Sequence, residues 1–124
     1  METVHKILFQ DSRNLSNIAD GSIELIVTSP PYPMVEMWDE IFSIQNPQIK
    51  EALINKDGFS AFELMHQELD KVWRQIYRVL KIGGIACINI GDTARTIGGD
   101  FQLYNSHQRI LSSCLKLGFQ NLPN

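Results

Sequence analysis

The chain has 124 residues, which is enough for one domain with a modest hydrophobic core. Hydrophobic residues make up 44% of the sequence and charged residues 20%, as in an ordinary soluble globular protein. The net charge of −3 argues against a nucleic-acid binder that depends on its own basic face, unless that face lies on another segment, and no apolar stretch approaches the roughly 20 residues of a membrane span.

The first quarter of the chain contains two apolar runs that we interpret as strands. Val4–Phe9 is the first, and Ile23–Thr28 is the second. Between them, Leu15–Ile18 is compatible with one helical turn before the turn signal at Asp20-Gly21. The continuous apolar character of the second run is typical of a parallel strand that is covered on both faces.

A short helix and a loop are predicted next. Val35–Ile44 has the composition of a helix that ends at Asn46-Pro47, because proline lacks a backbone donor. Residues 55–58, with the sequence Asn-Lys-Asp-Gly, are expected to form an exposed loop.

The clearest predicted element is a long helix. Ser60 and Glu63 have the spacing of a capping box at its start, and Gly83-Gly84 is a stop signal at its end. Apolar side chains recur between them at intervals of three and four residues, as on one face of a helix: Met65, Leu69, Val72, Trp73, Ile76 and Leu80.

The last third of the chain continues the alternation of strands and helices. Ile85–Ile90 is predicted as the third strand, Thr93–Gln102 as a loop, and Tyr104–Leu117 as a helix that ends at Gly118. Phe119–Leu122 has the character of a fourth strand that the end of the sequence cuts short. This order predicts an α/β fold in which helices flank a parallel sheet.

The two cysteines fall inside predicted elements. Cys87 lies in the third strand and Cys114 on the apolar face of the last helix, so we expect two buried thiols rather than a disulfide. This pattern fits a reducing, cytoplasmic environment. The three histidines are scattered, and no Cys/His cluster has metal-ligand spacing, so no metal site is predicted.

Three polar clusters follow the three predicted strands. They are Asp11-Ser12, Thr28–Tyr32 and Gly91-Asp92-Thr93. Each has an ordinary structural explanation, since an aspartate after a strand often caps the next helix and Gly-Asp is often only a turn. Because parallel strands end at the same edge of a sheet, the three clusters together indicate a ligand site there.

The second cluster is the most specific, because it places Ser29-Pro30-Pro31-Tyr32 directly after an apolar strand. This motif resembles the catalytic motif of the amino-group DNA methyltransferases, which methylate N4 of cytosine or N6 of adenine. The stretches DSRNLSNIADGSIELIVTSPPYPM and VWRQIYRVLKIGGIACINIGD are similar to that family on both sides of the motif. The early position of the motif resembles the permuted group, in which the catalytic half precedes the cofactor-binding half.

The resemblance implies a fold and a chemistry. The fold would be Rossmann-like, that of an S-adenosylmethionine-dependent methyltransferase, with this chain supplying part of the sheet. The Ser29 side chain and the Pro30 carbonyl would accept hydrogen bonds from the target amine, Pro31 would stiffen the bend, and Tyr32 would stack on a base flipped out of DNA. Serine at the first motif position favours cytosine N4 over adenine N6.

The resemblance also implies cofactor-binding residues. Asp11 would lie near the adenine ring of S-adenosyl-L-methionine, and Thr28 and Asp92 would face the same edge of the sheet. A loop-capping role for Asp92 is equally compatible with the sequence. Four further residues could also contact a ligand, but an ordinary structural role is favoured for each: core packing for Met37 and Trp38, and solvated surface charge for Arg95 and Arg109.

Two parts of such an enzyme have no counterpart in this sequence. It contains no Phe-x-Gly-x-Gly turn for the methionine part of the cofactor and no target-recognition region. In the permuted order both would follow residue 124, so we expect the amino-terminal part of a larger enzyme, acting on DNA but poorly active alone. A partial sheet would also leave an exposed edge and face, which predicts self-association or a partner chain.

Two alternative functions remain open from the sequence. One is methylation of an RNA base or a protein amide, since related motifs that begin with Asn or Asp serve those substrates. The other is a non-catalytic α/β module in which Pro-Pro-Tyr is only a rigid corner. A Tyr32 ring that faces the core would favour the second alternative, and a ring that faces an open cleft would disfavour it.

Overall fold

A two-stranded parallel sheet forms the centre of the fold in the computed structural model, which describes residues 1–123. Strand β1 (Ile23–Thr28) pairs with β2 (Leu80–Ile88), with Ile26 opposite Ala86 and Thr28 opposite Ile88. The chain is therefore α/β, with a parallel sheet and flanking helices as the sequence predicted.

The long predicted helix connects these two strands. Here called α3 (Gly58–Val79), it buries one apolar face against the sheet, as the spacing of Met65, Leu69, Trp73 and Ile76 indicated. Its cap differs from the prediction, because Asp57 rather than Ser60 is the N-cap. The Asp57 carboxylate accepts the backbone N–H of Ser60 at 3.1 Å and the Ser60 hydroxyl at 2.7 Å.

The Gly83-Gly84 pair does not end this helix, which corrects the prediction. The helix ends at Val79, and the pair lies inside β2, which also starts and ends earlier than predicted. The register between β1 and β2 shifts here, between Ile23 and Leu25 of β1. Gly83 has a φ of +82°, and a Cβ on Gly84 would lie 3.1 Å from the carbonyl oxygen of Glu24, so this bulge requires glycine.

Two short helices follow β1. A 3-10 turn (Glu36–Trp38) leads into α1 (Asp39–Gln45), in agreement with the predicted short helix. Asn46 ends α1, but its side chain also caps a second helix, α2 (Pro47–Ile54), by accepting the N–H of Gln48. The sequence reading missed α2 because it treated Asn-Pro only as a stop, whereas proline is favoured at the first position of a helix.

A β-hairpin replaces the predicted loop over Thr93–Gln102. Strands β3 (Thr93–Ile97) and β4 (Asp100–Tyr104) are antiparallel and joined by Gly98-Gly99, both of which have positive φ. Positive φ at both central residues of a two-residue loop suits the right-handed twist of paired strands.

The last helix, α4 (Ser106–Leu117), matches the prediction and ends at Gly118, whose φ is +116°. Residues 119–122 are not a strand, which corrects the prediction of a fourth strand. Phe119 instead packs edge-on against Tyr77 of α3, with ring centroids 5.1 Å apart. None of the helices within residues 1–123 is both long and apolar enough to cross a lipid bilayer.

The face of the sheet opposite α3 is open in the described part of the chain. Leu25 and Val27 of β1 are 58% and 75% exposed, and Cys87, opposite Val27, is also exposed. The expectations of a strand covered on both faces and of a buried Cys87 were therefore wrong, whereas Cys114 is buried. Val4–Phe9 is exposed and forms no strand, because β1 pairs only with β2 within residues 1–123.

Candidate active site

The Ser-Pro-Pro-Tyr motif begins where the two parallel strands end together. The carbonyl of Thr28, the last residue of β1, accepts the N–H of Asn89 at 2.9 Å, so the two segments are still hydrogen-bonded to each other one residue beyond β2. Ser29 is exposed, and the prolines and Tyr32 that follow are half-buried. The motif therefore lies at the edge of the sheet that the sequence predicted.

Tyr32 lies beside the backbone that follows β2. A Cβ on Gly91 would be 3.4 Å from Cε2 of the Tyr32 ring. This contact brings the second and third polar clusters of the sequence together at one edge. Tyr32 is neither fully exposed nor buried in the core.

The segment from residue 29 to residue 34 is here called the motif loop. It ends in two buried residues that sequence reasoning did not single out. Pro33 and Met34 are fully buried, and Met34 has a φ of +71°. A left-handed conformation costs a non-glycine residue roughly 1–2 kcal/mol, so surrounding contacts must maintain it. The Met34 N–H donates to Sδ of Met65 at 3.4 Å, and its carbonyl accepts from Nη1 of Arg95 at 3.2 Å.

Asp11 forms an ion pair beside α3. Its carboxylate accepts from Arg13 at 2.7 Å, and Arg13 also donates to Glu68 of α3 at 2.6 Å. Hydrogen bonds from Arg13 lower the pKa of Asp11, so the carboxylate is charged at neutral pH. Glu68 lies one helical turn after Met65, so Asp11 and the motif loop are both attached to the same part of α3.

Asp92 has a structural contact in addition to its place at the edge of the sheet. Its Oδ1 accepts the N–H of His107 at 3.0 Å and so satisfies a free donor in the first turn of α4. Asp92 therefore has the capping role that the sequence left open for it.

Other candidate residues are explained by packing or by ion pairs. Trp38 packs against the core, as the favoured interpretation had it, whereas Met37 is 73% exposed. Arg95 and Arg109 are not solvated surface charges. Arg95 pairs with Asp39 at 2.7 Å, and Arg109 pairs with Glu63 and Asp70 at 2.8 Å each.

No side-chain cluster in the described chain suggests a metal centre. Across residues 1–123, no three His, Cys, Asp or Glu side chains lie together as a metal site would require. His66 is buried and its Nε2 lies 3.1 Å from Oγ of Ser106, between α3 and α4 and away from the motif loop in the chain.

Comparison with known proteins decides the family. The family model described as DNA methylase, of the N6 and N4 type, matches residues 23–122. The chain belongs to this N6/N4 DNA methylase family. The matched range contains the Ser-Pro-Pro-Tyr motif and every helix and strand of the fold.

Two curated relatives are similar over nearly the whole chain. The type II methyltransferase M.MthZI of Methanothermobacter thermautotrophicus is 50% identical over 99% of this chain, and M.MjaI of Methanocaldococcus jannaschii is 46% identical over 98%. This chain spans only 35% of the length of M.MthZI and 44% of that of M.MjaI. Both relatives therefore contain extensive sequence that this N6/N4 DNA methylase chain does not match.

A solved structure shows the same fold. TTHA0409 of Thermus thermophilus, a protein assigned as a DNA modification methylase, was solved in complex with S-adenosyl-L-methionine. It aligns with a TM-score of 0.72 and 31% identity over 96% of this chain and 42% of TTHA0409. The Rossmann-like methyltransferase fold predicted from the sequence is thereby confirmed.

Proposed function

We propose that this N6/N4 DNA methylase chain carries the catalytic motif of a DNA methyltransferase that uses S-adenosyl-L-methionine, with N4 of cytosine favoured over N6 of adenine. The observation that supports this most directly is the place of the motif. Ser29 is exposed at the shared end of β1 and β2, and the half-buried Tyr32 ring lies against Gly91 beside it.

The residue types suit the activation of an exocyclic amine. Conjugation with the base ring makes such an amine a poor nucleophile. The Ser29 hydroxyl and the Pro30 carbonyl would accept its N–H groups and so favour a tetrahedral nitrogen with an available lone pair. Since Pro30 and Pro31 restrict the backbone, the acceptors need little reorganisation during the reaction.

The reaction is a direct displacement. S-adenosyl-L-methionine supplies the methyl group on a positively charged sulfur. The amine nitrogen bonds to the methyl carbon while the carbon–sulfur bond breaks and its electron pair stays on sulfur, and the amine then loses one proton to solvent. Ser29 acts only as a hydrogen-bond acceptor, so no covalent intermediate with the protein is formed.

Tyr32 is proposed to stack on the flipped base. A target base must leave the duplex before its amino group can reach Ser29. Stacking on an aromatic side chain contributes roughly 1–3 kcal/mol per base in single-strand binding, and a half-buried ring held against Gly91 is oriented in advance.

The proposed cofactor-binding residues fit to different degrees. Asp11 is charged and its side chain is 51% exposed, so its carboxylate can exchange an Arg13 contact for a hydroxyl or amino group of the cofactor. Thr28 offers a hydroxyl at the same edge. Asp92 retains one oxygen after capping α4. Donors for the methionine carboxylate are proposed to come from sequence that the longer relatives contain.

Methyl transfer by the protein tests this proposal. The protein is incubated with DNA and S-adenosyl-L-methionine labelled in its methyl group, and the DNA is digested to nucleosides for mass spectrometry. Label in N4-methylcytosine is expected, and label in N6-methyladenine would correct the preferred base. Label that enters only RNA or protein acceptors would overturn the proposal.

Two substitutions in the motif, each with a control variant, connect the activity to the motif. Ser29→Ala should reduce turnover strongly, while the exposed Ser112→Ala on α4 should not. Tyr32→Ala should weaken the complex with DNA about tenfold or more, while Tyr32→Phe keeps the stacking ring and should retain most of it. Equal activity of all four variants would show that the motif loop is not the active site.

A further inference from the structure

The guanidinium of Arg95 joins the β-hairpin to the segment that follows the Ser-Pro-Pro-Tyr motif. Nη1 donates to the Met34 carbonyl at 3.2 Å and to Oδ1 of Asp39 at 2.8 Å, and Nη2 donates to Oδ2 of Asp39 at 2.7 Å. The side chains of Arg95 and Asp39 are only 17% and 23% exposed. One side chain of β3 thus fixes both the last residue of the motif loop and the first residue of α1.

The Arg95 contact completes the support of Met34. The N–H of Met34 is bound by Met65 of α3, and its carbonyl is bound by Arg95, so both peptide groups flanking this strained residue are fixed. The loop is fixed at its other end by the bond between Thr28 and Asn89.

Little freedom remains between these two ends. Three of the five residues from Ser29 to Pro33 are prolines, whose φ angles are restricted. We therefore expect a displacement of Met34 to reach Tyr32 through Pro33, because few free φ angles remain in the loop to absorb it.

We propose that Arg95, together with Asp39, is a positioning residue for the motif loop, an inference that rests on the function proposed above. Arg95 touches neither the target base nor the cofactor in this proposal. It holds the Met34 carbonyl, and so it sets where the Tyr32 ring and the Ser29 hydroxyl stand relative to a bound base. Misplacing reacting groups by about 1 Å can reduce a rate about 100-fold.

Arg109 offers a matched control. It forms two ion pairs, with Glu63 and Asp70, where Arg95 forms one, and both of them link α4 to α3 without contacting the motif loop. Arg95→Gln therefore removes one ion pair and Arg109→Gln removes two, so the control disturbs charge pairing at least as much. Arg95→Lys keeps the charge and the fold but cannot bridge Asp39 and Met34 in the same planar geometry.

Kinetics and NMR together test the proposal. We expect Arg95→Gln and Arg95→Lys to reduce kcat about tenfold or more while KM for S-adenosyl-L-methionine changes less than about twofold, and Arg109→Gln to leave kcat unchanged. The Met34 methyl resonance, assigned with Met34→Leu, should shift in both Arg95 variants and stay in place in Arg109→Gln.

The two readouts separate this proposal from the proposed function. If the wild-type protein methylates no substrate but the Met34 resonance still shifts in the Arg95 variants, the positioning of the loop is supported and only the proposed activity is refuted. A wild-type kcat in folded Arg95→Lys, or an equal loss of kcat in Arg109→Gln, would overturn the positioning role.

Discussion

Nε2 of His66 lies 3.1 Å from Oγ of Ser106, which joins the middle of α3 to the first residue of α4 inside the protein. Both side chains are fully buried, and Nδ1 of His66 has no hydrogen-bond partner among residues 1–123. Burial, with the nearby charge of Arg109, lowers the pKa of His66 from 6.5 to about 4, and the carboxylates of Asp70 and Glu63 oppose this only partly.

This buried histidine makes stability depend on pH. Between pH 6.5 and about 4 the unfolded chain binds a proton at His66 that the folded chain excludes, so the free energy of unfolding falls as the pH falls through this window. The loss approaches roughly 3 kcal/mol if the whole shift of the pKa acts on stability. Urea unfolding at several pH values measures it.

His66→Gln keeps a hydrogen-bonding group for Ser106 but does not titrate, so its stability should vary much less over the same window. Carboxylates with lowered pKa, such as Asp11 and Glu63, act at lower pH because their stabilisation is lost as the pH falls below their ordinary values. An unchanged slope in His66→Gln between pH 6.5 and about 4 would contradict the assignment.

The two glycines of the hairpin loop should respond differently to substitution. Gly98 has a φ of +60° and a Cβ there would lie 2.9 Å from Cβ of Lys56, so Gly98→Ala combines strain with a clash and should cost about 1–2 kcal/mol. Gly99 has a φ of +81° and open space, so Gly99→Asn should cost less. Thermal denaturation of both variants is the measurement, and equal losses would contradict the contact with Lys56.

This hairpin shows what the sequence reading could and could not predict. Thr93–Ile97 and Asp100–Tyr104 flank a Gly-Gly pair in two five-residue runs, which is the local pattern of a two-residue hairpin. The loop prediction was wrong because it gave weight to the glycines and not to the strand-forming residues on either side. The information was local and was available.

The apolar face of the long helix and the bounds of β1 were predicted correctly, because apolar periodicity and continuous apolar runs are also local patterns. The prediction of a strand over Val4–Phe9 was wrong because a strand also needs a neighbouring strand to pair with, and composition does not show whether one is present. The contacts that hold the motif loop also could not be predicted from the sequence. Met34 depends on Met65 and Arg95, which are 31 and 61 residues away in the chain.

The open face of the central sheet should drive association of the 124-residue chain. Leu25 and Val27 expose apolar side chains, and within residues 1–123 the outer edges of β1 and β2 pair with no further strand, an arrangement that favours contact with other chains. We expect light scattering after size exclusion to show dimers or larger species, and Val27→Lys to shift the chain toward monomer. A wild-type chain that stays monomeric at high concentration would contradict this expectation.

Gly91 should tolerate only a small side chain. A Cβ there would meet Cε2 of Tyr32 at 3.4 Å, an ordinary contact, so Gly91→Ala should keep most of the proposed methylation activity. The additional methyl groups of Gly91→Val would displace the Tyr32 ring, and we expect a loss of about tenfold in kcat/KM for DNA. Full activity of Gly91→Val would show that the position of the ring is unimportant.

Asp92 has two candidate roles that substitution can separate. Asp92→Asn keeps a side-chain oxygen to accept the His107 N–H, so the cap of α4 should survive, whereas Asp92→Ala should lose about 1 kcal/mol of stability. If the carboxylate also binds S-adenosyl-L-methionine, Asp92→Asn should raise KM for the cofactor without lowering the melting temperature. A cofactor KM equal to that of the wild type in Asp92→Asn would restrict Asp92 to capping, because the charge would then have no ligand to bind.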